Sequence, residues 1–124
     1  MAETNSSKSP DITADEICFV ETASGAVGAS LPVNPGTPHG TVILSGGSAL
    51  AMTLPLPVAG VDDGKTLTFI DIGGHAHTIT TPASGINGAD HIATFGGTAY
   101  TVWQVRAYNG GWVCAYSTTG ISLS

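Results

Sequence analysis

His75-Ala76-His77 is the densest group of chemistry-bearing side chains in the sequence. Residues two apart on a strand point to one face, so this spacing projects both imidazoles together. With Asp90 or His91 beside them across a sheet they could bind a metal, and a trimer with this strand on its axis would gather three such pairs. The plainer reading is a pair of polar residues on the solvent face of a hairpin. A specific site needs more ligands than these two, so no metal or other cofactor is expected, and His75 and His77 stand as the metal candidates. Asp71 and His75 flank one turn and could touch, an arrangement that locks turns more often than it moves protons. No nucleophile or cofactor motif accompanies them, and the chain is expected not to be an enzyme.

Other motifs fall short for physical reasons. Gly60-Val61-Asp62-Asp63-Gly64-Lys65-Thr66 is one residue short of a phosphate loop, and its two carboxylates would repel a phosphate. It reads as a β-turn feeding a strand. Gly46-Gly47-Ser48-Ala49-Leu50 lacks the last glycine of a nucleophile elbow. Trp103, Tyr108, Trp112 and Tyr116 fall on one hairpin, where alternation buries some; Trp112 and Tyr116 are the candidates for outward protein or sugar contacts. Cys18 and Cys114 match no metal spacing and read as small buried hydrophobes.

The elements that must carry these residues are strands. Seventeen glycines and seven prolines among 124 residues punctuate every stretch, and charged residues are only 10%. Strand-like runs are Thr41 to Leu44, Ala49 to Leu54, Thr66 to Ile72, His75 to Thr81, His91 to Phe95, Ala99 to Tyr108, Trp112 to Ser117 and Ile121 to Leu123. Gly73-Gly74 reads as a two-residue hairpin turn, and Asn109-Gly110-Gly111 is the strongest hairpin signal in the chain. The expected fold is all-β, a small β-sandwich or β-barrel over residues 39–124. Residues 1–38 are polar at first, then rich in proline from Pro32 to Pro38, and read as an extended N-terminal arm with one strand-like patch at Ile17, Cys18, Phe19 and Val20.

Net charge is -6, from three basic and nine acidic residues. Three scattered cations cannot neutralise a phosphate backbone or hold an anionic membrane, so neither nucleic acid nor membrane is an expected partner. The N-terminus has no basic head or apolar run of the secretory kind, so synthesis in a cytoplasm is expected.

Leu54-Pro55-Leu56-Pro57-Val58-Ala59-Gly60-Val61-Asp62-Asp63-Gly64-Lys65-Thr66-Leu67-Thr68-Phe69, then Gly74-His75-Ala76-His77-Thr78-Ile79, Ile86-Asn87-Gly88, Ala93-Thr94-Phe95-Gly96-Gly97 and Ala107-Tyr108-Asn109-Gly110-Gly111-Trp112 resemble the small β-modules of tailed-bacteriophage capsid decoration (cement) proteins, which are related to tail-fibre modules. The resemblance covers roughly residues 48–124 and leaves the arm unmatched. It implies a virion structural protein, a homotrimer on the outer surface of the expanded capsid, made in the host cytoplasm and without catalytic residues. The partner would be the major capsid protein, and the arm, through Ile17, Cys18, Phe19 and Val20, its contact. The resemblance also admits a receptor- or glycan-binding module of a tail or head fibre, and fibre tips that hold iron on His-x-His pairs keep His75 and His77 in view.

Overall fold

The computed structural model describes residues 17–22, 29–30, 39–45 and 47–124, with side chains from residue 39 onward. Ten strands form two five-stranded sheets, and the described residues contain no helix. Sheet A runs β1 (Ile17–Thr22), β3 (His39–Leu44), β5 (Thr66–Asp71), β8 (Thr101–Tyr108), β9 (Gly111–Ser117). Sheet B runs β10 (Ile121–Leu123), β7 (Ile92–Phe95), β6 (Thr78–Thr80), β4 (Ala51–Thr53), β2 (Ala29–Ser30). The protein is therefore all-β, and of the two expected architectures the barrel is excluded: the sheets stay separate, each with its own edges.

The chain alternates between the sheets. β1, β3 and β5 pair in parallel in sheet A, while β2, β4 and β6 pair in parallel in sheet B. Each circuit deposits one strand on each sheet, so Ile17 lies beside His39 and His39 beside Thr66. After β6 the direction reverses. β7 pairs antiparallel with β6 and β8 antiparallel with β5, then β9 and β10 add the outermost level. Parallel neighbours need long connections, whereas antiparallel ones need only a turn. The stack is thus a three-level parallel winding closed by an antiparallel cap.

Alternation of side chains fills the space between the sheets. In β8, Thr101, Trp103, Val105 and Ala107 are buried, while Arg106 and Tyr108 are exposed. The core joins Val42, Leu44, Leu67, Phe69, Trp103, Val105 and Trp112 of sheet A to Met52, Ile79, Ala93 and Phe95 of sheet B. Phe69 and Trp103 stack with ring centroids 5.4 Å apart and planes at 25°. Burying one such aromatic contributes about 2–3 kcal/mol, so this layer dominates cohesion.

The Asn109-Gly110 turn forms as expected, with φ of 49° and 84° at its two central residues, the left-handed pair that a type I′ hairpin demands. Gly73-Gly74 does not form a hairpin. β5 and β6 lie in different sheets, and the turn begins a crossing over residues 72–77. The boundary expected at residue 38 falls outside the described residues; N-terminal to it, β1 and β2 pair with β3 and β4.

Candidate functional site

The crossing from β5 to β6 is where the chemistry-bearing residues gather. It lies directly on the crossing from β3 to β4, because Leu44 pairs with Asp71 and Ala51 with Thr78. The two crossings share a sequence pattern, Ser45-Gly46-Gly47-Ser48-Ala49-Leu50 against Ile72-Gly73-Gly74-His75-Ala76-His77. At equivalent places the lower level has Leu44 and Leu50, both buried, and the upper has Asp71 and His77, both with no exposed surface. A polar pair has taken the place of two leucines.

Asp71 gathers the turn. Its Oδ1 accepts the backbone N–H groups of Gly73 at 3.0 Å and Gly74 at 2.8 Å, and its Oδ2 accepts that of His75 at 3.1 Å. A buried carboxylate is tolerable only with such donors around it. His77 ties the levels together. Its Nδ1 accepts the Leu50 backbone N–H at 3.1 Å, and its backbone carbonyl accepts the Phe95 N–H at 2.8 Å. Because Nδ1 accepts, the neutral ring carries its proton on Nε2, which lies 3.4 Å from Asp71 Oδ1. At that length the contact is electrostatic, and Nε2 has no closer partner. Burial pushes the imidazole below its ordinary 6.5, more than the neighbouring Asp71 carboxylate raises it, and His75 lowers it slightly further.

The two histidines do not project together. They precede β6 rather than lying on it, His75 is half-buried and His77 fully buried, and their rings meet edge-on with centroids 6.0 Å apart. His75 meets Asp71 only through its backbone N–H; the imidazole that faces the carboxylate is that of His77. His91 is exposed, Asp90 is half-buried in a small bridge with Ile86, and among the described residues no three His, Cys, Asp or Glu are grouped to hold a metal. The repeated Gly-Gly-x-Ala is the signal that marks this corner in the sequence.

The aromatic candidates part ways. Trp112 is buried, and its Nε1–H donates to the Pro55 carbonyl at 3.0 Å, so it fastens β9 to the loop before β5 and offers nothing outward. Tyr116 is 56% exposed. Cys114 carries a free, half-buried thiol. Ile17, Cys18, Phe19 and Val20 lie in β1, paired with His39, Gly40, Thr41 and Val42; their side chains are outside the described residues.

The loop after β6 covers the first part of the outer edge of β9. Trp112 N–H donates to Gly85 O, Asn87 N–H to Trp112 O, and Cys114 N–H to Asn87 Oδ1. At the opposite end of the stack the outermost strands are β1 and β2, and no described strand pairs with their far edges. Compared with known protein families and with curated proteins, the chain matches none.

Proposed function

We propose that this chain is a virion structural protein, a trimeric capsid decoration (cement) protein that binds the outside of an expanded phage capsid and stabilises it. The observation that carries the reading is the asymmetry of the stack. At the capped end the loop after β6 hydrogen-bonds to the β9 edge at Trp112 and Cys114, while the other end finishes in β1, whose far edge has no partner among the described residues. An open strand edge is a template for a strand from another chain. β1 contains Ile17 to Val20, the patch on which the capsid contact rests.

Each main-chain hydrogen bond added at that edge nets about 1 kcal/mol, so one chain alone binds weakly. Three chains in one trimer raise the effective concentration of the later contacts, and avidity gains roughly 10²–10⁴-fold. A ligand of the mature lattice alone stabilises it by RT ln(1 + [L]/Kd), about 2.7 kcal/mol per site at a hundredfold excess over Kd. The net charge of -6 suits an outward position, away from packaged DNA.

Co-sedimentation with empty expanded capsids tests the proposal, with the full chain expected to pellet in copies that are a multiple of three. A chain lacking residues 1–20 loses most of β1 and its pairing with β3, so it is expected to melt lower than the full chain while still folding, and to lose the capsid. Capsid binding by that shortened chain would overturn the role of β1, and a full chain that stays monomeric and ignores capsids would overturn the whole reading. The second reading, a receptor- or glycan-binding module of a tail or head fibre, draws on the exposed Tyr116; binding to host cells by the isolated protein would favour it.

A further inference from the structure

The outer face of sheet A carries an arrangement that the core does not require. β8 sends Gln104, Arg106 and Tyr108 outward in succession. Tyr108 is 66% exposed, and among the described residues the Arg106 guanidinium has neither an ion pair nor a hydrogen bond. Among the described residues this places a free guanidinium beside an exposed phenol on one face.

Two adjoining hollows meet at Tyr108 and Val113. One, of about 520 Å³, is lined by Arg106, Gln104 and Ala115, and the other, of about 460 Å³, by Asn87, Asn109 and Ser84. Both are shallow and open to solvent, the form of a surface groove rather than an enclosed pocket. Two of their side-chain amides, those of Gln104 and Asn87, are held in place by the fold. Gln104 Nε2 donates to Thr68 Oγ1 at 3.0 Å, which leaves its amide oxygen as an acceptor. Asn87 Oδ1 accepts the Cys114 N–H at 2.9 Å, which leaves its amide nitrogen as a donor. Asn109 is fixed at φ 49° in the hairpin turn, with its N–H on Asp63 Oδ1 at 2.8 Å.

We infer that this double hollow is a binding site for a carboxylate-bearing saccharide. An aromatic ring receives the C–H face of a sugar, side-chain amides exchange hydrogen bonds with its hydroxyls, and a guanidinium fork takes a carboxylate. An acidic peptide is the poorer occupant, because the first hollow lies on a sheet face and the second lies between the hairpin turn and the 84–88 loop, whose hydrogen bonds to Trp112 and Cys114 already occupy the neighbouring β9 edge. The inference does not rest on the capsid reading.

Titration of the full chain with glucuronate-containing oligosaccharides, the corresponding neutral glucose oligosaccharides and a short oligoglutamate tests it, followed by NMR or calorimetry. The uronate oligosaccharide is expected to bind saturably and tighter than the neutral one, with no saturable oligoglutamate binding. Tyr108→Ala is expected to weaken both sugars by roughly tenfold, and Arg106→Gln to abolish the preference for the acidic sugar while sparing the neutral one. Both positions are exposed, so unchanged melting temperatures are expected for both variants. No saturable sugar binding, sugar binding untouched by either variant, or oligoglutamate binding equal to that of the uronate would each overturn the inference.

Discussion

Asp71 and His77 face each other across a buried corner, 3.4 Å apart, at the two places where the level beneath has Leu44 and Leu50. The carboxylate organises its own turn while the imidazole reaches down to the preceding level. The pair therefore sets both the path of one crossing and its register on the next.

Removing Asp71 strips three backbone N–H groups of their acceptor. Asp71→Ala is expected to lower unfolding free energy by about 2–4 kcal/mol, and Asp71→Asn, which keeps one acceptor oxygen, by about 1 kcal/mol. Urea denaturation measures both, and an alanine variant as stable as the parent would refute the turn-organising role.

The His77 imidazole protonates less readily folded than unfolded. Below its ordinary 6.5 the unfolded chain binds a proton that the native one refuses, so stability falls as pH falls from that point toward the lower native value. The slope is at most about 1.4 kcal/mol per pH unit. His77→Gln, which cannot titrate, is expected to remove this component in melts between pH 7 and pH 5.

A second acid transition comes from another place. The Asp62 carboxylate is held below its ordinary 3.8 by the Lys65 ammonium and then by the Val58 N–H, which donates to Oδ2 at 2.7 Å. Its depressed native pKa gives stability that is present above 3.8 and lost as pH falls through the native value. Asp62→Asn is expected to be less stable than the parent at neutral pH and to converge with it at the acid end of a pH-melting series.

Gly85 sits where no side chain fits. A Cβ there would stand 2.7 Å from Leu56 Cδ2 and 2.8 Å from Thr81 Cβ. Gly85→Ala is expected to cost about 1–3 kcal/mol, because the loop that covers β9 must move. Differential scanning calorimetry reads this directly, and Gly88→Ala offers the contrast: a left-handed glycine with open space around it.

Trp112→Phe keeps an aromatic in the core and deletes the hydrogen bond to Pro55. A loss of about 1–2 kcal/mol is expected in chemical unfolding, against less than about 0.5 kcal/mol for Tyr116→Ala on the exposed face.

Strand positions were readable because alternation and turn chemistry are local. Asn109-Gly110 permits little besides a hairpin, and Thr101 to Tyr108 alternates cleanly between core and surface. Sheet membership was not readable in the same way. Gly73-Gly74 is compatible with a hairpin or with a crossing, and what decides between them is the parallel pairing of β5 with β3, a contact distant in sequence. The fate of the histidines turned on the same point. His75 and His77 share a face only if residues 75–81 form one strand, whereas the strand begins at Thr78 and leaves both in the crossing. Trp112 went inward because the register across the Asn109-Gly110 turn sets it opposite Ala107, a core position.

Parallel winding also makes the length of this module a stepwise quantity. One more circuit inserted between β4 and β5 would push the cap outward by a single inter-strand distance, about 4.8 Å, and leave every cap contact unaltered. The extent of the stack along its axis would therefore change by whole circuits, with the antiparallel cap kept intact at its end.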